Sequence, residues 1–342
     1  MNKLILVTGG TGYIGSHTTV ELMNEGFDVV IIDNLSNSEK SVLDGIVEIT
    51  GRRPYFEEFD ICDKEKLDNF FKIYKKIDAV IHFAAYKAVG ESIEKPLKYY
   101  QNNLITLMNL LNGIKEHKVS NFVFSSSATV YGQPDKLPVT ESAPFKTADS
   151  PYGNTKQIAE EIIRDTINAN RDFRAISLRY FNPIGAHSSA LIGELPRGVP
   201  NNLVPFITQT AAGIRDELKV FGDDYNTPDG SAVRDYINVV DLAKAHVVSI
   251  KRMIDNKSKS NLEVFNVGTG KGSSVLEIVN AFEKATGEKL NYKMSERRVG
   301  DIESVYAETR YANEELGWKA EIGLDETLLS AWNWEKNIRN IK

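Results

Sequence analysis

The chain has 342 residues, 42% hydrophobic and 26% charged, an ordinary globular composition with ample material for a core and length for one large domain or two joined ones. Its net charge of −6 comes with Lys and Arg spread along the chain, which argues against a nucleic-acid stripe or a basic membrane-binding face. The single cysteine, Cys62, excludes an intrachain disulfide, and no secretory or bilayer-spanning run is read, so a reducing, cytoplasmic setting is expected.

KLILVT (3–8) reads as a fully buried strand, followed by glycines and a helix from Gly12 to Asn24. DVVIID (28–33) and PYFEEFD (54–60) are the second and third strands. DAVIHFAA (78–85) and NFVFSSS (121–127) come next, separated by a long helix with an apolar stripe through Leu97, Leu104, Leu107, Leu111 and Ile114. His82 reads as a strand residue with a satisfied ring, and Cys62 as a poor candidate nucleophile with no histidine near it in sequence. A helix carrying Tyr152 and Lys156 leads into the strand RAISLRYFN (174–182). Such alternation predicts an α/β fold, a Rossmann-type doubly wound parallel sheet with helices on both faces. From Gly185 the rhythm breaks. GAHSSALIGELPRGVPNNLVPF reads as a long structured loop. LKVFG, EVFNVG and KLNYKM then mix with helices such as SSVLEIVNAFEKATG, which predicts a smaller mixed α/β lobe. The expected division is 1–184 for a dinucleotide-binding domain and 185–342 for a mainly substrate-binding lobe, with some elements returning to the first domain. Trp332 and Trp334 read as packing for a final helix. The five histidines show no metal-ligand spacing, and no metal is expected.

VTGGTGYIG places Gly9, Gly10, Gly12 and Gly15 between a strand and a helix, where bare backbone can approach a pyrophosphate at a helix N-terminus. Asp33, about 20 residues on at the next strand end, suits an adenosine ribose and would repel a 2′-phosphate, favouring NAD over NADP. Asp60, at the end of the third strand, borders an adenine in this reading or serves only as a turn or cap residue. SSSATVYG ends the fifth strand, and strand carboxyl ends are where such sheets bind ligands. That puts Ser127 beside the nicotinamide, with Tyr152 entering on the following helix. In SPYGNTK, Tyr152 and Lys156 lie four apart, on one helical face. A phenol titrates near ~10, and bringing it to neutrality takes about 4 kcal/mol of differential interaction. Lys156 and a positive nicotinamide ring are two cations that could supply it, making Tyr152 a general base for a substrate hydroxyl that Ser127 orients. The plain alternatives are a surface Tyr–Lys pair and a glycine turn without a ligand.

Taken together, TGGTGYIG, SSSATVYG and YGNTK resemble the extended short-chain dehydrogenase/reductase superfamily. Within it, HFAAYKAVGES, LRYFNPIGAH and VRDYINVVDLAKAH are similar to the UDP-glucose 4-epimerases, and the similarity runs from the first strand to the final helix. The resemblance implies bound NAD, a UDP-hexose substrate, inversion at C4 through a 4-keto intermediate, and a homodimer formed by the two long helices flanking the fifth strand. It implies cofactor contacts from Gly9, Gly12, Tyr13, Ile14, Gly15, Asp33, Asn34, Asn37, Asp60, Ile61, Phe83, Ala84, Lys87, Asn102, Lys156 and Phe181. For the nucleotide and sugar it implies Ser127, Thr129, Tyr152, Asn182, Asn202, Leu203, Phe221, Arg234, Arg298, Asp301 and Val305. Ala85 departs from the glycine expected after Ala84.

Two rivals share these motifs. A sugar-nucleotide 4,6-dehydratase or decarboxylase also starts by oxidising C4, but dehydratases carry acidic residues where this chain has Ala128 and Thr129. A non-catalytic dinucleotide sensor would have no need of the Ser127–Tyr152–Lys156 set. Val305 stands where a bulky tyrosine in the family resembles a gate against a 2-acetamido group, so the chain is expected to accept N-acetylated UDP-hexoses as well. The plain alternative is a buried strand valine.

Overall fold

The computed structural model describes residues 2–298 and 302–341. Its first half runs β1 (Leu4–Thr8), α1 (Tyr13–Asn24), β2 (Asp28–Asp33), α2 (Val42–Thr50), β3 (Tyr55–Glu58), α3 (Lys64–Ile73), β4 (Ala79–His82), α4 (Val89–Glu94), α5 (Pro96–Glu116), β5 (Asn121–Ser127), α6 (Pro151–Ala169) and β6 (Arg174–Tyr180). These strands are parallel and lie in the order β3-β2-β1-β4-β5-β6. Ile5 of β1 pairs with Val29 on one side and Ala79 on the other, so the chain reverses its direction of progress at β1 and opens a crevice at the carboxyl ends.

Both faces of the sheet are dry. Ile5, Val7, Val29, Ile31, Ile81 and Val123 enter one core; Leu6, Val30, Ile32, Val80, Phe122 and Phe124 enter the other. That is the period of two along strands covered by helices on each side, and it makes the strands read as unbroken apolar runs. On α5 the inward stripe is Tyr99, Asn103, Thr106, Leu107, Leu110, Leu111 and Ile114. Leu97 is corrected: it is 79% exposed, because Tyr99 fills the inward place of the first turn and donates to Glu91 Oε2 at 2.9 Å.

The second half contains β7 (Asn182–Ile184), α7 (Leu203–Ala211), β8 (Leu218–Phe221), β9 (Val233–Asn238), α8 (Val239–Ile254), β10 (Leu262–Val267), β11 (Gly272–Ser274), α9 (Val275–Thr286), β12 (Tyr292–Ser295), β13 (Ser304–Val305) and α10 (Leu324–Arg339). The expectation that EVFNVG belongs to the smaller lobe is also corrected. It forms β10, which lies parallel to β6 as the seventh strand of the main sheet. The physical reason is β6 itself: all but its first residue is buried, so its outer edge needs a partner. α8 likewise leaves the lobe and packs against α1. The lobe keeps the sheet β11-β9-β13 with β7 on β9, and the parallel pair β8–β12. Its own core gathers Ile184, Val204, Ile207, Val220, Phe282 and Trp332. Among the described residues no helix is long and apolar enough to cross a membrane, and no acidic, Cys or His cluster has metal-site geometry.

Candidate active site

The glycine turn joins β1 to α1 at the crevice. Gly9 has φ +72, which favours glycine, and its N–H donates to the Ile32 carbonyl at 2.8 Å. A Cβ on Gly15 would stand 2.2 Å from the Gly9 carbonyl oxygen, so the helix presses directly on the turn. Gly12 caps α1 without any side-chain hydrogen bond, and the first turn carries no acid. Free N–H groups and an uncompensated dipole are what a pyrophosphate needs, so the turn fits a dinucleotide. Tyr13 and Ile14 open α1, and Tyr13 donates from Oη to the Gly185 carbonyl at 2.6 Å. Asp33 ends β2 and accepts from the N–H groups of Thr11 at 3.2 Å and Leu35 at 2.9 Å. Asn34 donates to Asp60 at 3.0 Å, and Asp60 accepts from the Cys62 N–H at 2.8 Å, which brings the second and third strand ends together. Ile61 is buried beside them. Asn37 is exposed between Ser36 and Ser38, whose carbonyls are both held by Arg197. Ala84 crosses close over Gly9, Phe83 packs on His246 with ring centres 4.7 Å apart, and Asn102 donates to Asn103 at 3.0 Å.

The reactive group is built by the start of α6. Ser150 caps that helix by accepting from the Gly153 N–H at 3.2 Å, and Pro151 occupies the first helical position, which places Tyr152 in the first turn. Ser127, the last residue of β5, lies close enough to Tyr152 to lower its pKa, but burial outweighs this and pushes the phenol up to about 12. With the protein groups alone the phenol stays protonated at neutral pH, so the reading in which two cations lower it depends on the nicotinamide as well as on Lys156. Lys156 Nζ donates to the Ser125 carbonyl at 2.6 Å and stands 5.9 Å from the centre of the Tyr152 ring. A positive charge that close to the ring favours the phenolate. Burial holds the ammonium down at about 8, with Glu160 opposing. His82, bonded to Thr8 Oγ1 at 2.8 Å, is pushed by burial down to about 3 and is neutral. Cys62 is pushed up to about 11 by burial and by Asp60, which makes it a poor nucleophile.

The lobe faces this group from across the crevice. The Thr129 hydroxyl is buried without a protein partner, two residues past Ser127, and suits a ligand hydroxyl. Asn182 starts β7 opposite Tyr236, Asn202 stands just before α7 without capping it through its side chain, and Leu203 begins that helix. Arg298 lies 4.4 Å over the Phe221 ring, and Arg234 is paired in register with Val305. Asp301 lies outside the described residues. Val305 and Phe181 are buried in one small cluster with Val130, Tyr131, Val139 and Ala307.

Against known proteins, the family model described as GDP-mannose 4,6 dehydratase matches residues 6–330. A UDP-glucose 4-epimerase of Haemophilus influenzae is 50% identical over 333 residues, covering 97% of each chain. The crystal structure of the Stenotrophomonas maltophila UDP-glucose-4-epimerase, with bound NAD and formylated UDP-arabinopyranose, superposes with TM-score 0.95 at 46% identity and covers 100% of both chains. The chain belongs to the UDP-glucose 4-epimerase family. A Bifidobacterium longum member of that family, in complex with NAD+ and UDP, has TM-score 0.94 at 46% identity, covering 99% of this chain and 100% of that one.

Within this epimerase fold three features escaped the reading of the sequence. Glu194 accepts from both Lys87, at 3.2 Å, and Asn202, at 2.6 Å, joining a residue expected at the cofactor to one expected at the substrate. It lies in a Gly/Pro-rich loop whose lack of period hides a single important acid. Tyr180 bonds Ser125 beneath the site. Arg179 pairs with Glu160 in the core. An arginine inside the apolar run ISLRYF was the available clue to that pair.

Proposed function

We propose that this chain catalyses the reversible NAD-dependent epimerisation at C4 of UDP-hexoses, interconverting UDP-galactose and UDP-glucose in galactose metabolism. The observation that carries the reading is Tyr152 in the first turn of α6 with buried Lys156 one turn further on, beside Ser127 at the carboxyl end of β5 in the sheet that also holds the glycine turn. Held there, NAD would supply a hydride acceptor and donor for C4, so that hydride could return to the opposite face of the sugar, and in its oxidised form a positive charge beside the phenol. Tyr152 accepts the C4 hydroxyl proton as the 4-keto sugar forms and returns it on reduction. Ser127 orients that hydroxyl, with Thr129 beside it, and Lys156 favours the phenolate. The glycine turn, Asp33, Asn34, Asn37, Asp60, Ile61, Phe83, Ala84, Lys87, Asn102 and Phe181 hold the cofactor. Asn182, Asn202, Leu203, Phe221, Arg234, Arg298 and Asp301 hold the UDP-sugar, the arginines with paired donors for phosphate oxygens. In this assignment residues 1–184, completed by α8 and β10, form the NAD-binding domain, and the rest of 185–342 mainly the substrate lobe.

Val305 extends the reading to UDP-GlcNAc and UDP-GalNAc. It is buried in one cluster with Phe181 and Val130, and in this reading its small side chain leaves room beside the sugar for an N-acetyl group. A homodimer is part of the same reading: Leu97 and Met108 share one exposed face of α5, beside the exposed Val89 and Ile93 of α4. The single cysteine suits a cytoplasmic protein. The direct test is conversion of UDP-galactose to UDP-glucose by the purified protein, with release of NAD on denaturation. Failure of that conversion would reject the proposed activity.

A further inference from the structure

Below Lys156 lies a buried ionic cluster to which the proposed reaction gives no role. Glu160, one turn further along α6, is 3% exposed and accepts Arg179 with both oxygens, Nε to Oε1 at 2.9 Å and Nη2 to Oε2 at 2.6 Å. Ser126 donates to the same Oε1 at 2.5 Å. Arg179, on β6, donates onward to Tyr131 Oη at 3.0 Å and the Glu141 carbonyl at 3.1 Å, and stands 4.8 Å from the centre of the Phe145 ring. Burying an ion pair strips both partners of water, and an apolar replacement of similar volume is often at least as stable. Stability alone is therefore a weak reason for this cluster. Its charges are two cations and one carboxylate, with Lys156 at the end nearest Tyr152.

We infer that Glu160 and Arg179 are positioning residues for proton transfer: Glu160 keeps Lys156 an ammonium, while Arg179 engages both carboxylate oxygens so that the charge of Lys156 is not cancelled at Tyr152. The inference rests on the roles proposed above for Tyr152 and Lys156. The titratable and charged groups about Lys156 are His82 on β4, Tyr152 and Glu160 on α6, and Arg179 and Tyr180 on β6. His82 is held neutral by burial, and Tyr180 is kept a phenol by the same cause. Glu160 is the group that opposes burial at Lys156. The working state pairs a phenolate with an ammonium. The competing state, phenol with amine, holds the same number of protons and cannot accept one from the substrate. Weakening the lysine's hold on its proton moves population into the second state at every pH where the pair carries a single proton.

The test uses Glu160→Gln and the double variant Glu160→Gln/Arg179→Met, which removes both partners of the ion pair and so leaves no unpaired guanidinium in the core if the single variant does not fold. For each, kcat and KM are measured with UDP-galactose. Tyr152 is titrated by its phenolate absorbance, as the difference from the same protein carrying Tyr152→Phe, with NAD present and without it. The expected result is a kcat lower by about tenfold for each unit of proton affinity that Lys156 loses, with KM unchanged and the phenolate appearing at higher pH than in the native protein. A native kcat with an unshifted phenolate overturns the inference. So does a raised KM at native kcat, which is the mark of a packing role. If the native protein converts no UDP-hexose, the proposed function falls, and the phenolate titration alone then decides between a charge-holding and a structural role for the pair.

Discussion

At the scale of single residues, Tyr152 and Lys156 separate chemistry from stability. Tyr152→Phe keeps the ring and removes the proton acceptor, so turnover should fall by about two to four orders of magnitude while NAD stays bound. A near-native rate in that variant would show that the base is elsewhere. Lys156→Met should also slow turnover and move its pH dependence upward, yet make the protein more stable. The folded pKa of Lys156, about 8, lies below the value of 10.5 for a free lysine. The unfolded chain therefore binds the extra proton more readily, and stability is reduced in full below about pH 8 and recovers as pH rises toward 10.5. The penalty removed at neutral pH is on the order of 3 kcal/mol, seen as a raised midpoint in urea at pH 7 that fades by pH 10.5. Asp33→Asn should weaken NAD by about ten- to a hundredfold and relax discrimination against NADP, because hydrogen bonds to a charged acceptor are the stronger kind. Equal affinity of the native protein for both dinucleotides would contradict this. Isothermal titration after removal of NAD measures it.

At the scale of elements, β13 and α5 carry the next expectations. Val305 of β13 is locked in register beside Arg234, so Val305→Tyr should suppress the reaction of UDP-GlcNAc while sparing UDP-glucose, read as kcat/KM for each. An equal loss on both would remove Val305 as the selector, and no N-acetyl activity in the native protein would reject the open gate. On α5, Leu97→Glu with Met108→Glu should turn a dimer into a monomer by light scattering, at little cost to the fold, since both side chains already face water. Legibility in the sequence follows the same elements. The β1–turn–α1 unit and the helix carrying Tyr152 could be read because the glycines, and the spacing of four between Tyr152 and Lys156, act over a few residues. Leu97 misled because Leu97, Leu104 and Leu111 keep a regular spacing of seven, although Tyr99 fills the inward place at the start of the helix. For β10, apolar residues identify a strand but not which sheet receives it; that depends on the open edge of β6, more than 80 residues earlier. Ser127 and Tyr152 were visible as motifs, whereas the balance of burial against charge at Tyr152 needs the packed surroundings. Glu194 had no local pattern to mark it.

For the whole molecule, the two halves are not independent in folding. A fragment ending at residue 184 lacks β10 and α8, which close the edge of β6 and cover α1. It should express mainly as aggregate, and adding residues through 267 should recover more soluble material, as judged by the soluble fraction on centrifugation. The seventh strand also sets a timetable for synthesis. β6 leaves the ribosome long before β10, and at ~5–20 residues per second the interval is roughly 4–16 s. Throughout that time a strand destined to be almost wholly buried has one row of backbone donors and acceptors with no neighbour. Adjacent chains on the same messenger expose the same row at the same stage. The yield of this protein is therefore tied to how fast the ribosome crosses the stretch between Tyr180 and Leu262, and slow codons there should lower the yield without altering a single property of the molecules that finish.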